Sequence, residues 1–324
     1  MKATQNERKK DNSSNIYEIR PIYETEYGSL YNDKIESFLD SDAGKSIKGK
    51  VNLIVTSPPF PLIRKKRYGN ESGEAYLKWL EDLSPKLTEL LTDDGSIVIE
   101  IGNAWVKGLP EMSTLPLEAL LAFKKAANLH LCQHVICHNT ARIPSPAQWV
   151  TIERIRLKDS FTHVWWLSKT PRPKADNREV LAPYSKDMMK LIKTGRYNSG
   201  KRPSGHEIST GGFLKDNGGS IQASMLEDIN GHEVSSSMLK MANTGWDADY
   251  RNYCKDNNLE AHPARMQHGL VAFFVKYLTR AGDLCFDPFG GSNTTGWVAE
   301  AMGRRWMAVE ANRDYAHGSY GRFQ

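Results

Sequence analysis

The chain has 324 residues, 40% of them hydrophobic, and a formal net charge of +5. That composition supports one large core, or a core with a sizeable insertion, and its mild basic excess suits a polyanionic partner without demanding one. No apolar run approaches the ~18 residues of a membrane helix, the N-terminus has no apolar signal region, and Cys132, Cys137, Cys254 and Cys285 show neither C-x-x-C nor zinc spacing; these features predict a cytoplasmic protein with reduced, buried thiols and no metal.

In chain order, Met1 to Arg20 is polar and reads as a flexible arm. A short strand over Gly28 to Asn32 leads through Asp33 into a helix from about Lys34, and Asp33 suits a helix cap. Val51-Asn52-Leu53-Ile54-Val55-Thr56 predicts a buried strand that stops on Ser57-Pro58-Pro59-Phe60. Neither proline donates a ladder hydrogen bond, each fixes φ near about −65°, and Ser57 is pushed into an extended conformation by Pro58. A hydroxyl, a carbonyl and an aromatic ring are thereby held at the carboxyl end of a strand, where open α/β sheets take their ligands. These groups suit a flat heterocycle with an exocyclic amine. The ring stacks on it, and the two oxygens accept the amine's hydrogens and free a lone pair otherwise delocalised. The plainer alternative is a proline-terminated strand entering a surface turn.

The run Arg64-Lys65-Lys66-Arg67 reads either as phosphate contacts on a lid beside Ser57 or as a solvated charge run. Ala75 to Leu91 has helical apolar spacing, with Pro85 expected to kink or break it. Asp93-Asp94-Gly95 reads as a turn, and Ser96 to Gly102 as a strand carrying Glu100 near its carboxyl end. A helix over Leu115 to Asn128 and strands over His130 to His138 and Thr162 to Leu167 follow. His134, His138 and His163 have no metal-ligand spacing and read as polar residues on strand faces. From Ser168 to about Glu260 glycine, serine, asparagine and proline become frequent. Lys201, Arg202, Ser204, His206 and Asn217 are candidate contacts to phosphates and base edges there, with a linker as the alternative. His262-Pro263 leads into a helix over Met266 to Arg280, whose N-terminus is a natural anion site.

Leu284-Cys285-Phe286-Asp287 runs into Pro288-Phe289-Gly290-Gly291-Ser292, then a helix over Asn293 to Met302 and a strand over Arg305 to Val309. The glycines let a ligand approach the backbone. Glu310 follows Gly290 by about 20 residues, the distance at which a βαβ unit sets a carboxylate on ribose hydroxyls. Neither G-x-G-x-x-G nor G-x-x-x-x-G-K-[ST] is present, which disfavours a nicotinamide dinucleotide and a nucleoside triphosphate. The elements add up to an α/β, Rossmann-like, seven-stranded, mostly parallel sheet with helices on both faces.

Thr56-Ser57-Pro58-Pro59-Phe60 together with Asp287-Pro288-Phe289-Gly290-Gly291-Ser292 resembles the S-adenosylmethionine-dependent DNA amino-methyltransferases, in the cytosine-N4 form. The order, catalytic loop first and cofactor loop last, is similar to the circularly permuted β group. The likeness extends through Trp165-Trp166, Ser168-Lys169-Thr170, Leu181 to Ser185, Arg202 to His206, Lys215 to Ser220 and Ala261 to Arg265. It covers the chain from about Tyr27 onward. The resemblance implies a flexible arm at 1–20, a catalytic half at 21–168, an inserted target-recognition region at 169–260 and a cofactor half at 261–324. It assigns Ser57, Pro58, Pro59, Phe60 and Glu100 to catalysis, with Glu100 near the serine or paired with a basic neighbour. It assigns Asp33, Thr56, His262, Pro263, Asp287, Pro288, Phe289, Gly290, Gly291, Ser292 and Glu310 to S-adenosylmethionine, Asp33 taking the adenine amine. The implied partners are double-stranded DNA with a flipped cytosine and a separately folded restriction endonuclease acting on the same site. No Pro-Cys pair is present, so methylation of a ring carbon is disfavoured. Adenine-N6 methylation, usually marked by Asp or Asn in place of Ser57 and Tyr in place of Phe60, and a non-catalytic DNA-binding role remain the alternatives.

Overall fold

The computed structural model describes residues 17–60, 73–139, 142–195, 200–208, 214–227 and 247–324, so Arg64 to Arg67 and most of the N-terminal arm lie outside the described residues. The chain forms two compact units, residues 1–175 with 224–324, and residues 176–223. The strands in chain order are β1 (Tyr23–Glu24), β2 (Gly28–Tyr31), β3 (Val51–Thr56), β4 (Leu91–Gly102), β5 (His130–His138), β6 (Phe161–Ser168), β7 (Gly200–Lys201), β8 (Glu207–Ile208), β9 (Met225–Glu227), β10 (Leu284–Asp287) and β11 (Arg305–Val309). All but β7 and β8 belong to the first unit.

The first unit is built on a nine-stranded sheet in the order β1-β2-β11-β10-β3-β4-β6-β5-β9. The run from β2 to β4 is parallel, whereas β6 is antiparallel to both β4 and β5. Alternation along each strand divides the core in two. On one face Ile54, Ile97, Ile99, Trp165 and Phe286 pack under α1 (Ile35–Asp40), α3 (Glu74–Thr88) and α4 (Leu115–Ala126), after the short α2 (Asp42–Ser46). On the other, Leu53, Val55, Val98, Val164 and Cys285 pack under α7 (His268–Leu278) and α8 (Thr294–Ala301). Both faces are covered, as a parallel sheet requires. Among the described residues no helix is long and apolar enough to cross a membrane.

Nine strands stand where seven were expected. The additions, β1 and β9, pair at the two edges of the sheet. The expected turn at Asp93-Asp94-Gly95 lies inside β4. Val51 pairs with Leu91 but Leu53 with Ser96, so the surplus residues of β4 bulge outward, with Asp93 and Asp94 exposed. Pro85 neither ends nor interrupts α3. It sits on the exposed side of the last turn, where the carbonyl it leaves unpaired faces water, and Ser84 Oγ beside it donates to Phe123 O at 2.6 Å to tie α3 to α4.

The second unit holds α5 (Lys186–Thr194), with α6 (Ala248–Asp256) and α9 (Arg313–Gly318) completing the helices of the first. Ser185 Oγ accepts from Met188 N to start α5, and Gly195 closes it in the left-handed region at φ +61. The antiparallel pair β7–β8 flanks a turn, and Tyr184 Oη accepts from Asn217 N at 2.7 Å. Of the loop-rich stretch 169–260, residues 176–223 make up this unit, while β9 and α6 belong to the first.

Gly28 sits where β2 passes under Trp306 of β11. A Cβ there would lie 2.2 Å from Trp306 O and 2.4 Å from the indole. That ring is stacked on Phe323 and held by Glu300, to which it donates at 2.7 Å, so it cannot yield. Gly28→Ala is expected to cost about 1–3 kcal/mol or more, read as a fall in urea midpoint at unchanged slope. An unchanged midpoint contradicts this packing.

Candidate active site

Parallel pairing of β3 with β10 brings the two sequence motifs to one edge of the sheet: Leu53 pairs with Cys285 and Ile54 with Phe286. Thr56, the last residue of β3, donates to Asp287 Oδ1 at 2.7 Å across the strand ends. Asp287 also accepts from Thr295 Oγ1 at 2.8 Å and from Phe289 N at 3.0 Å. It is 2% exposed. Burial pushes its pKa up to about 6 against these hydrogen bonds, all of which favour the ionised form.

The turn that follows is shaped by its glycines. Gly290 N donates to Val309 O at 2.8 Å. Gly291 adopts φ +52, and a Cβ on it would stand 3.2 Å from His262 Nε2, so a side chain would be strained and crowded at once. Gly291 N donates to Glu310 Oε2 and Asn312 N to Glu310 Oε1, both at 2.7 Å. The acid predicted from spacing is thus pinned by backbone at the end of β11. Burial raises the Glu310 pKa. Asn293, at φ +53, accepts from Gly296 N at 3.0 Å and opens α8.

A cleft of about 560 Å3 is lined by Ser57, Pro58, Pro59 and Phe60 on one side and by Asp287 to Ser292 with Glu310 on the other. Asp33, Glu36, Trp79, His262, Arg265 and Tyr315 are also in its lining. The Phe60 ring lies over Gly102 of β4, where a Cβ would stand 2.8 Å from Phe60 Cε2. Asp33 Oδ1 accepts from Lys34 N at 2.8 Å, but Lys34 is the residue that caps α1 and makes no side-chain cap hydrogen bond, so Asp33 lines the cleft without serving as the expected helix cap. Trp79 Nε1 donates to Glu36 Oε1 at 2.8 Å, and its ring meets Phe289 at 5.5 Å. His262 packs edge-on against Tyr315 at 4.7 Å.

Thr56 and Pro263 are not among the residues lining the cleft; Thr56 stands behind it as the donor to Asp287. Glu100 is not in the lining either. It lies one residue beyond the Thr56–Ile99 pair, so β4 carries it level with Ser57. It is buried, accepts from Thr162 Oγ1 at 2.9 Å, and has its pKa raised by burial. Lys201, Arg202, Ser204, His206 and Asn217 all fall in the second unit, where Arg202 N donates to His206 O at 2.8 Å to form the β7–β8 turn. His134 and His163 share a hydrogen bond of 2.9 Å, and His163 bonds Asn103 Oδ1 at 2.9 Å. Among the described residues no three His, Cys, Asp or Glu side chains are grouped to hold a metal.

One part of the site was not anticipated. Arg322, buried near the C-terminus, donates from Nε to Ser292 O at 2.6 Å and from Nη2 to Ser292 Oγ at 2.9 Å and to Asp247 Oδ1 at 3.1 Å. Arg265 Nε donates to the other Asp247 oxygen at 2.6 Å and Arg265 Nη1 to His262 O at 2.6 Å. Tyr250 Oη accepts from His262 N at 2.7 Å, and its ring lies under the Arg322 guanidinium at 4.9 Å. Asp247 therefore joins two arginines that hold the glycine turn and the His262 segment, the two walls of one end of the cleft. Of Arg322, Asp247, Tyr250 and Arg265, only Arg265 stands in a motif flagged by sequence, whereas the groups they hold, Ser292 and His262, were both flagged.

A family model described as DNA methylase matches residues 51–320. The chain is 39% identical over 306 residues to the type II methyltransferase M.PvuII of Proteus hauseri, covering 94% of this chain and 86% of that protein. A solved structure of the PvuII DNA methyltransferase (cytosine-N4-specific) superposes with TM-score 0.70 at 32% identity, over 96% of this chain and 90% of that one. A Thermus thermophilus protein solved with S-adenosyl-L-methionine shares the fold, with TM-score 0.54 at 19% identity over 92% of this chain and 94% of that one. The strand order, the glycine turn and the carboxylates of Asp33, Asp287 and Glu310 in the cleft fit that cofactor. With the family model spanning most of the length, this chain belongs to the N6/N4 DNA methylase family and is a DNA methyltransferase whose methyl donor is S-adenosylmethionine.

Proposed function

We propose that this methyltransferase acts on N4 of cytosine in double-stranded DNA, as the modification partner of a restriction endonuclease that recognises the same site. The observation that carries the reading is the shared cleft: Ser57 to Phe60 and the Gly290–Ser292 turn line a single cavity. The type II designation of the similar Proteus hauseri protein supports the pairing with an endonuclease.

When bound, S-adenosylmethionine supplies an electrophilic methyl group on a sulfonium. Glu310 and Asp33 would accept from its ribose hydroxyls and adenine amine. Gly290 and Gly291 let the methionine part approach the backbone, with Asp287 and His262 closing that end. On the opposite wall Phe60 stacks on the target base, which must leave the duplex because its amine is otherwise out of reach. Ser57 Oγ and the Pro58 carbonyl accept the two N4 hydrogens. The nitrogen becomes pyramidal, its lone pair leaves the ring's π system, and it points across the cleft. The surplus proton leaves N4 to solvent. Glu100, level with Ser57 on β4, keeps this end of the sheet polar through Thr162.

Ser57→Ala is expected to lower kcat for transfer of labelled methyl to duplex DNA by on the order of a hundredfold, with binding of S-adenosylhomocysteine unchanged. The labelled nucleoside from wild type is expected to be N4-methylcytosine. N6-methyladenine would transfer the reading to the adenine branch, and an undiminished rate in the variant would remove the clamp.

Asp287 generates a pH prediction. Its folded pKa of about 6 lies above the ordinary 3.8, so between those values the native state binds the proton more tightly than the unfolded chain. Stability from this group is then greatest below pH 3.8 and declines by about 3 kcal/mol as pH rises through 6. In urea titrations from pH 4 to 7.5, the stability of wild type minus that of Asp287→Asn should fall by about that amount. A difference independent of pH contradicts it.

A further inference from the structure

The connection between β5 and β6 carries four bulky aliphatic side chains that the protein does not cover. Leu157 is 90% exposed, Ile143 79% and Ile152 68%, with Ile155 beside them. Single exposed aliphatics are ordinary, but several on one short connection mark a surface that meets something. Arg154, Arg156 and Lys158 alternate with Ile155 and Leu157 and are exposed as well. Of the two acids of the connection, Asp159 is tied into its base, and Glu153 stays exposed against three neighbouring basic residues, leaving the face net cationic. Glu153 accepts from Gln148 Nε2 at 2.9 Å. Asp159 accepts from Asn103 Nδ2 at 2.7 Å and pairs with Arg142 at 3.4 Å. The outward face is therefore cationic and apolar together.

The arm is also firmly rooted. Asn139 N donates to Ser160 O at 2.8 Å and Asp159 N to Ser145 O at 3.0 Å, closing its base. Arg142 Nη1 donates to Phe161 O at 3.0 Å, and Arg156 Nε donates to Pro110 O at 3.0 Å, joining the arm to the loop after β4. That loop adds Leu109 and Met112, both about half exposed.

Topology decides what the arm faces. β6 runs antiparallel to both β4 and β5, so β5 ends at the same edge of the sheet as β4. β3 and β10 are parallel to β4 and end there too. The arm consequently rises from the edge that carries Ser57 and the cleft.

We infer that the β5–β6 arm is a DNA-binding element in addition to the candidate readers at residues 201–217: Arg154 and Lys158 contact phosphates, Arg156 holds the arm in place, and Leu157 wedges between base steps beside the target. This rests on the DNA-methylation reading. Phosphate neutralisation accounts for the cations. Apolar side chains such as leucine inserted between base steps unstack them, and the target base must be unstacked before Ser57 can reach its amine. A protein partner would cover the aliphatics equally well, but it would occupy the edge through which the DNA must enter.

The test uses the full chain and a duplex containing a methylatable site. For Arg154→Ala/Lys158→Ala, binding measured by fluorescence anisotropy is expected to weaken about tenfold at fixed salt, and the slope of log affinity against log salt to lose about 2. For Leu157→Ala, transfer to the intact duplex is expected to fall about tenfold, while transfer to a duplex carrying a mismatch at the target base stays at the wild-type rate, the stack being already broken. S-adenosylhomocysteine binding by both variants should equal wild type, which excludes misfolding. Affinity and salt slope equal to wild type overturn the inference. So does an equal loss on intact and mismatched duplexes, or a wild-type dimer in sedimentation that Leu157→Ala dissociates. Should wild type itself transfer no label to DNA, the methylation reading fails first, and the two failures are told apart.

Discussion

The hydrogen bond between Thr56 and Asp287 spans the ends of two neighbouring parallel strands whose positions in the chain differ by 231 residues. Each strand delivers one half of the chemistry. β3 ends in a proline-stiffened clamp, and β10 ends in the glycine turn. Parallel pairing alone brings both loops to the same edge; the Thr56–Asp287 contact sets their separation. Asp287 is surrounded by donors on both sides, with Thr295 from α8 and the Phe289 amide completing its shell. A carboxylate in that environment is costly to bury, and the cost shows as a proton affinity raised to about 6. Its retention is understandable if the separation of the loops matters more than the stability lost.

The second organising feature is the Arg322–Asp247–Arg265 bridge. One carboxylate satisfies two guanidinium groups, which in turn hold the Ser292 carbonyl and the His262 carbonyl. Arg322 is a buried cation on the C-terminal segment, and burial pulls its pKa down from the usual arginine range. With Asp247 and the Tyr250 ring beneath it the charge remains accommodated. Removal of Asp247 would leave two arginines without their acid partner, a far larger perturbation than loss of a surface ion pair. The C-terminal segment is thus a structural part of the cleft wall.

Much of this architecture is legible from the residues because it depends on local backbone chemistry. The run Val51 to Thr56 reads as a strand on apolarity, Pro58 and Pro59 end it by removing donors, and Gly290 and Gly291 mark a turn that side chains would obstruct. Glu310 is found by spacing because a βαβ unit has a nearly fixed length. What escapes the sequence is set by tertiary context. β1 and β9 are two and three residues long, too short to show any period. Pro85 reads as a breaker, yet in the exposed last turn of α3 it forfeits one hydrogen bond where water can replace it. Asp93-Asp94-Gly95 has turn composition, but a bulge against Val51 absorbs it. The partners Arg322 and Asp247 lie 75 positions apart, and nothing local marks either. Glu100 reads from sequence as an acid near the end of a strand, but its contact, Thr162, comes from the antiparallel strand that sequence could not orient.

The central claim is that a methyl donor held by the Gly290–Gly291 turn faces an amine held by Ser57 and Pro58 across a single cleft. The most direct measurement is a crystal structure of the chain with S-adenosylhomocysteine. The account places the sulfur over Gly290 and Gly291, directed at Ser57 and Phe60, with the ribose on Glu310 and the adenine beside Asp33. A sulfur directed away from Ser57, or a ribose held by residues other than Glu310, would contradict it.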